Sequence, residues 1–136
     1  MSYLLDTNVV FELVRVRPHA AVVAWVEMQA ADALHLSVLT LGEIRSGVER
    51  LSDRRRREKL RAWLERDLPA WFEGRLLAVS AGVADRWGRL RSGSRDPLPA
   101  VDSLLAATAL HHDLRLVTRN TGDFRYPGLE VVDPWR

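Results

Sequence analysis

Four acidic side chains sit where apolar segments end. Asp6 interrupts the apolar run in "YLLDTNVV", Glu43 follows "LSVLTLG", Asp102 opens "AVDSLLAATALHHD", and Asp123 ends "LVTRNTGD". Each has a modest explanation by itself. Glu43 falls away from the helical stripe Leu41, Ile44 and Val48, as a solvated charge does. Asp102 in the first turn of a helix favours the helix dipole by about 0.3–1 kcal/mol. Asp123 beside Gly122 fits ordinary turn chemistry. The set says more than its members. Two carboxylates about 5 Å apart, at an effective dielectric of about 20, repel by about 3 kcal/mol. Four gathered at one place therefore need a cation unless some are protonated. Oxygen donors without any cysteine suit a hard ion, Mg²⁺ or Mn²⁺. The chemistry suggested is metal-assisted phosphodiester hydrolysis, in which the ion lowers the pKa of an attacking water and offsets charge in the transition state.

Gathering the acids requires a particular scaffold, and strand and helix patterns alternate along the chain. "SYLLD", "ALHLSV", "RLLAVS", "LRLVTRN" and "LEVVD" read as short strands. Between them the pattern turns helical from Thr7 to about Arg15, and again after Pro18, which suits a first helical turn. Val22, Val23, Val26 and Ala30 form the inward face of that second helix. A third helix covers about 39–51. A fourth begins at Ser52 or Asp53 and buries Leu60, Trp63 and Leu64. "AGVADRWGRLRSG" is a fifth, followed by the turn-rich loop "SGSRDPLP". The helix from Ala100 is apolar on nearly every side, as a buried helix is. Strands separated by helices imply an α/β fold with a mostly parallel sheet covered on both faces. In such sheets the active crevice lies outside the carboxyl ends of the strands. Asp6, Glu43 and Asp123 each closely follow a strand, and Asp102 opens the helix leading into the next.

Composition narrows the alternatives. At 136 residues with 47% apolar content, the chain reads as a single domain able to bury a core without disulfides or structural metal. The absence of cysteine excludes thiolate zinc sites and fits a reducing, cytoplasmic setting. No run approaches the about 20 apolar residues of a membrane span, and Asp6 breaks the only apolar run near the start. The positive charge is almost all arginine, so any catalytic lysine would have to be Lys59. No Gly-rich loop precedes Lys-Ser/Thr, so a P-loop is absent. Asn8 stands where a haloacid-dehalogenase-like phosphatase has its second acid, and Lys59 lies in the wrong region for a receiver domain.

The stretches "YLLDTNVVFEL", "LSVLTLGEIRSGVERL", "LPAVDSLLAATALHHDLRLVTRNTGDF" and "VVDPW", in this order and across essentially the whole chain, resemble a PIN-domain ribonuclease of the VapC toxin type. The resemblance implies a PIN-like fold over residues 1–136, with about five short strands. It assigns Asp6, Glu43, Asp102 and Asp123 to the family's acidic quartet, with Asp6 and Asp102 as principal ligands of Mg²⁺ or Mn²⁺. Glu43 and Asp123 would hold coordinated water, a second ion or the substrate side. Thr118 and Asn120 match polar positions that orient the site. Some relatives carry a further acid near Asn120, and their counterpart of the 92–99 loop is longer. The implied partners are an RNA substrate, a VapB-type antitoxin whose segment enters the acidic groove, a second copy of the chain, and promoter DNA only through the antitoxin.

Other features read more plainly. Arg54 to Arg57 could follow an RNA backbone, but Arg54–Glu58 and Arg61–Glu65 have the spacing of helix-surface pairs. Trp63 shares the spacing of Leu60 and Leu64 and reads as core or interface. His111 and His112, adjacent on one helix, point apart and chelate poorly. Two functional classes remain: a metal-dependent endoribonuclease, or a catalytically silent PIN-like module binding RNA or protein. Retention of a self-repelling acidic set favours the enzyme.

Overall fold

Five short strands build one sheet in the computed structural model, which describes residues 1–136. They are β1 (Tyr3–Leu5), β2 (Leu34–Ser37), β3 (Leu76–Leu77), β4 (Arg115–Val117) and β5 (Val131–Val132), in the order β3-β2-β1-β4-β5. Every pairing is parallel, so the expected mostly parallel sheet is wholly so. The helices are α1 (Thr7–Leu13), α2 (Ala20–Met28), α3 (Val38–Glu49), α4 (Arg54–Ala62), α5 (Leu68–Trp71), α6 (Ala81–Ser92) and α7 (Ala100–His111). The chain runs outward from β1 to β3, then crosses to β4 on the opposite side of β1. That reversal makes the β1/β4 boundary a topological switch point, where a crevice opens at the strand ends.

Side-chain alternation along the central strands feeds two cores. Leu5 and Val117 join Val9, Val22, Ile44, Val48 and Leu60 on one face. Leu4 and Leu116 pack with Leu105, Ala109 and Phe124 on the other. The second layer explains the all-round apolar character of α7: it packs against α6 as well as the sheet, and Ser103 and Leu105 to Ala109 are buried.

Several boundaries differ from the sequence reading for local reasons. The second helix begins at Ala20, beyond Pro18, because His19 supplies the cap through its ring Nδ1, which accepts from Ala21 N–H. Val22 and Val26 are buried as expected, whereas Ala30 lies outside the helix and is exposed. Asp53, rather than Ser52, caps α4 through Arg56 N–H. A π-helical segment, Trp63–Asp67, joins α4 to α5, with Leu68 N–H reaching Trp63 O. Pro69 accounts for it: the residue has no N–H and its ring crowds the carbonyl four residues back, so the turn widens.

The arginine-rich segment also pairs differently. Arg61 contacts Glu49 and Glu58, while Arg45 holds Glu65 at 2.8 Å. Neither expected i,i+4 pair forms; for Arg61–Glu65 the reason is that α3 lies beside this helix and offers better-placed partners. Arg56 donates to Val14 O at 2.9 Å and Arg57 to Leu51 O at 2.8 Å. Both satisfy carbonyls that helix ends leave unpaired. Arg54 and Arg55 are exposed.

Candidate active site at the carboxyl edge of the sheet

Asp6 is the first residue beyond β1 and the N-cap of α1. Its backbone N–H continues the sheet ladder to Val117 O at 2.9 Å, so the strand fixes where the carboxylate emerges. The side chain is only 7% exposed. Oδ1 accepts from Thr7 N–H at 2.8 Å, and Oδ2 accepts from the Thr118 hydroxyl at 2.8 Å and from Asn8 Nδ2 at 3.3 Å. Burial pushes its pKa up; the bonds from Thr118 and Thr7 pull it down without cancelling that effect, and the charge of Asp123 raises it further.

Thr118, the residue after β4, is completely buried. Its oxygen accepts from Asn8 Nδ2 at 3.2 Å and from Asn120 N–H at 3.0 Å. A hydroxyl has one proton and two acceptor sites, so the proton is committed to Asp6. Asn8 Oδ1 in turn accepts from Arg119 N–H at 3.3 Å. The end of β1 is thus laced to the end of β4 at the switch point. Asn120 enters this network through its backbone.

Glu43 stands on α3, which leaves β2 at the capping residue Ser37. The helical pattern made it resemble a solvated charge. It is half-buried instead and accepts from the Thr7 hydroxyl at 2.6 Å. Asp102 lies in the first turn of α7 and is half-buried, without a capping bond. Its pKa is raised by burial first, then by the charges of Asp6, Asp123 and Glu43 in that order. Asp123 ends the short 3₁₀ turn Thr121–Asp123 and is exposed. The fold therefore brings Asp102 within electrostatic reach of the other three acids, and Asp6 within reach of Asp123. No arginine, lysine or histidine forms an ion pair with any of them.

This donor set fits a hard divalent cation. It offers only oxygen ligands, carries uncompensated negative charge, and has one principal acid already oriented by three hydrogen bonds. No three His, Asp or Glu side chains close into a preformed cage. Mg²⁺ suits such an open site because it usually keeps several waters and takes one or two carboxylates.

Thr7 and Asn8 are site residues that the sequence reading left without a role. The visible signal was their position between Asp6 and the apolar helix face. Their partners, Glu43 and Thr118, lie on other elements. His111 and His112 lie away from the acids, exposed and edge to face, their ring centroids 4.8 Å apart. The most apolar cleft, about 480 Å³, involves Val10, Leu13, Val26, Trp63 and Trp71 and contains none of the four acids.

Comparison with known proteins gives a consistent picture. The PIN domain family matches residues 3–128. The chain is 36% identical to toxin FitB of Neisseria gonorrhoeae over 97% of each sequence. It is 32% identical to the VapC ribonuclease Y4jK of Sinorhizobium fredii, covering 97% of this chain and 96% of that one. Among solved structures, FitAcB from Neisseria gonorrhoeae superposes with a TM-score of 0.91 at 35% identity, over 98% of this chain and 99% of that one. A toxin–antitoxin complex from Klebsiella pneumoniae gives a TM-score of 0.73 at 27% identity over 99% of both chains.

Proposed function

The chain belongs to the PIN domain family, and from that premise we propose that it is a divalent-metal-dependent endoribonuclease acting as the toxin of a toxin–antitoxin pair. The observation that carries this reading is Asp6 held at the end of β1 by Thr118 at the end of β4, with Asp102 within reach of the charges of Asp6, Asp123 and Glu43 and no cationic side chain paired to any of the four. A binding module gains nothing from like charges held together: burial and neighbouring carboxylates raise the proton affinity of Asp6 and Asp102. A site for a cation and an RNA phosphate requires them.

Asp6 and Asp102 would hold the ion, Mg²⁺ or Mn²⁺. When bound, such an ion supplies charge neutralisation and makes a neighbouring water more acidic. Glu43, fixed by the Thr7 hydroxyl, and Asp123, exposed at the rim, are placed to accept protons from water or to order the substrate side. Thr118 and Asn8 orient Asp6, and Asn120 supports Thr118 through its N–H. The cognate partner would be a VapB-type antitoxin, with promoter DNA contacted only through it. Resemblance to a toxin and to a toxin–antitoxin complex supports that assignment. Self-association as a homodimer belongs to the same reading. No helix is long and apolar enough to cross a membrane.

The test uses chain purified free of any antitoxin and incubated with a broad RNA panel in Mg²⁺, Mn²⁺ or EDTA. Cleavage is expected with either ion and absent in EDTA. An Asp6→Asn chain is expected to be inactive. Cleavage in EDTA, or equal cleavage by Asp6→Asn, would refute the proposed site. Complete inactivity of the wild type across the panel would favour the silent binding module.

A further inference from the structure

A second cleft, of about 380 Å³, contains three arginines and none of the four acids. Its walls include Arg86, Arg89 and Leu90 from α6, Ser94 from the loop before α7, and Arg125 and Tyr126 from the segment after Asp123. Arg86 and Leu90 are one helical turn apart, so α6 presents them on one face. Arg89 is committed to Asp85 at 2.8 Å. Arg86 and Arg125 have neither an ionic partner nor a side-chain hydrogen bond. Gly93, Ser94 and Leu98 of the loop before α7 thus help line a pocket containing two guanidinium groups without a partner.

Chain geometry sets this pocket against the site. Arg125 is two residues beyond Asp123, and the loop containing Ser94 leads directly into the helix whose first turn carries Asp102. Tyr126 is half-buried between the two regions. Its hydroxyl pKa is raised by burial first and then by the charges of Asp102 and Asp123.

We propose that this cleft is a subsite for single-stranded RNA, in which Arg86 and Arg125 engage backbone phosphate beside the scissile bond and the ring of Tyr126 faces the adjoining base. The proposal rests on the nuclease reading above and names the substrate side of that site. Guanidinium groups match phosphate oxygens in planar, bidentate geometry. Aromatic rings accept bases with little sequence preference. Two unpaired arginines beside four unpaired carboxylates can seat one phosphate of a strand while an adjacent one reaches the acidic edge.

The probe is a fluorescein-labelled, single-stranded RNA oligonucleotide of mixed sequence. Binding is followed by anisotropy in EDTA over a salt series, and cleavage is assayed separately with Mg²⁺. For Arg86→Gln/Arg125→Gln, affinity at moderate salt should fall on the order of tenfold or more. The slope of log K against log salt should flatten by about 0.7, the value for one phosphate contact on a single strand. Arg86→Lys/Arg125→Lys should retain the slope while losing part of the affinity. Arg54→Gln/Arg55→Gln makes the same charge change on the exposed start of α4 and should leave binding close to wild type. Unchanged slope and affinity in the pocket variant would overturn the proposal. So would an equal loss in the α4 control, which would indicate diffuse charge. Intact RNA binding with weakened capture of a carboxylate-rich peptide would overturn it in favour of a protein partner. Loss confined to the pocket variant, in a wild type that binds RNA without cutting it, would uphold the subsite and remove the nuclease reading.

Discussion

Thr118→Val replaces a fully buried hydroxyl with a methyl of nearly the same shape, so it tests the lacing of Asp6 without opening a cavity. The wild-type hydroxyl donates to Asp6 Oδ2 at 2.8 Å and accepts from Asn8 Nδ2 and Asn120 N–H. Loss of a buried hydrogen bond to a charged group costs about 1.5–3 kcal/mol. Asn8 keeps its Asp6 contact, and the exposed Asn120 can turn to water, so the total should stay near about 2–3 kcal/mol. Urea unfolding in EDTA at neutral pH should show this as a lower midpoint with an unchanged m-value. The deficit should also depend on pH. Asp6 already has a raised folded pKa because burial outweighs its hydrogen bonds, and removing Thr118 raises it again. The ionic part of the deficit is therefore complete at neutral pH. It shrinks as pH falls through the folded pKa of the variant and then of the wild type, where Asp6 is protonated in both. Metal affinity or activity should fall about 10–100-fold, as for other residues that orient a ligand, and Thr118→Ser should restore much of it. A variant within about 0.5 kcal/mol of wild type, or a deficit constant from neutral pH down to acid, would refute this account of how Asp6 is held.

Asp102→Asn should stabilise the metal-free chain at neutral pH, because a raised carboxylate pKa gives stability that is full below the unfolded value and lost as pH rises through the folded one. The gain should be about 1 kcal/mol, well under the about 3 kcal/mol of an unscreened pair, since the group is half-exposed. The same variant should lose the Mg²⁺-dependent rise in melting free energy, which reaches about 2.7 kcal/mol at about 100 times Kd; a rise equal to wild type would exclude Asp102 as a ligand. Thr7→Val releases Glu43 from its 2.6 Å bond and should lower kcat with little change in KM, which single-turnover cleavage can separate. Glu12→Gln addresses a buried acid on α1 that accepts from His19 N–H at 3.0 Å and Arg15 at 3.2 Å. Burial would raise the Glu12 pKa, but those bonds and the neighbouring positive charges outweigh it and lower the value. The wild-type advantage, on the order of 1–2 kcal/mol, should be present above the ordinary glutamate pKa and vanish as pH falls through the folded one, as read by thermal melts across the acid range.

Much was legible in order along the chain. Apolar runs separated by helical periodicity specified an α/β sheet with covered faces, and the all-round apolar stretch from Ala100 marked a buried helix. Four acids at segment ends raised the expectation of a cation site, since their mutual repulsion needs only Coulomb's law to state. Pairing across the chain was not legible. The order of strands around β1 decides that Thr118 meets Asp6 across 112 positions, and periodicity carries no information about which strand neighbours which. Glu43 looked solvated on its own helix because a wheel shows one helix; its partner Thr7 arrives on another. The expected Arg61–Glu65 pair failed for the same reason, as α3 supplied Glu49 to Arg61 and Arg45 to Glu65. Local pattern determined the elements and the chemistry they could carry. Tertiary packing alone decided which hydrogen bonds orient the acids, because those bonds join residues whose proximity exists only once the sheet has formed.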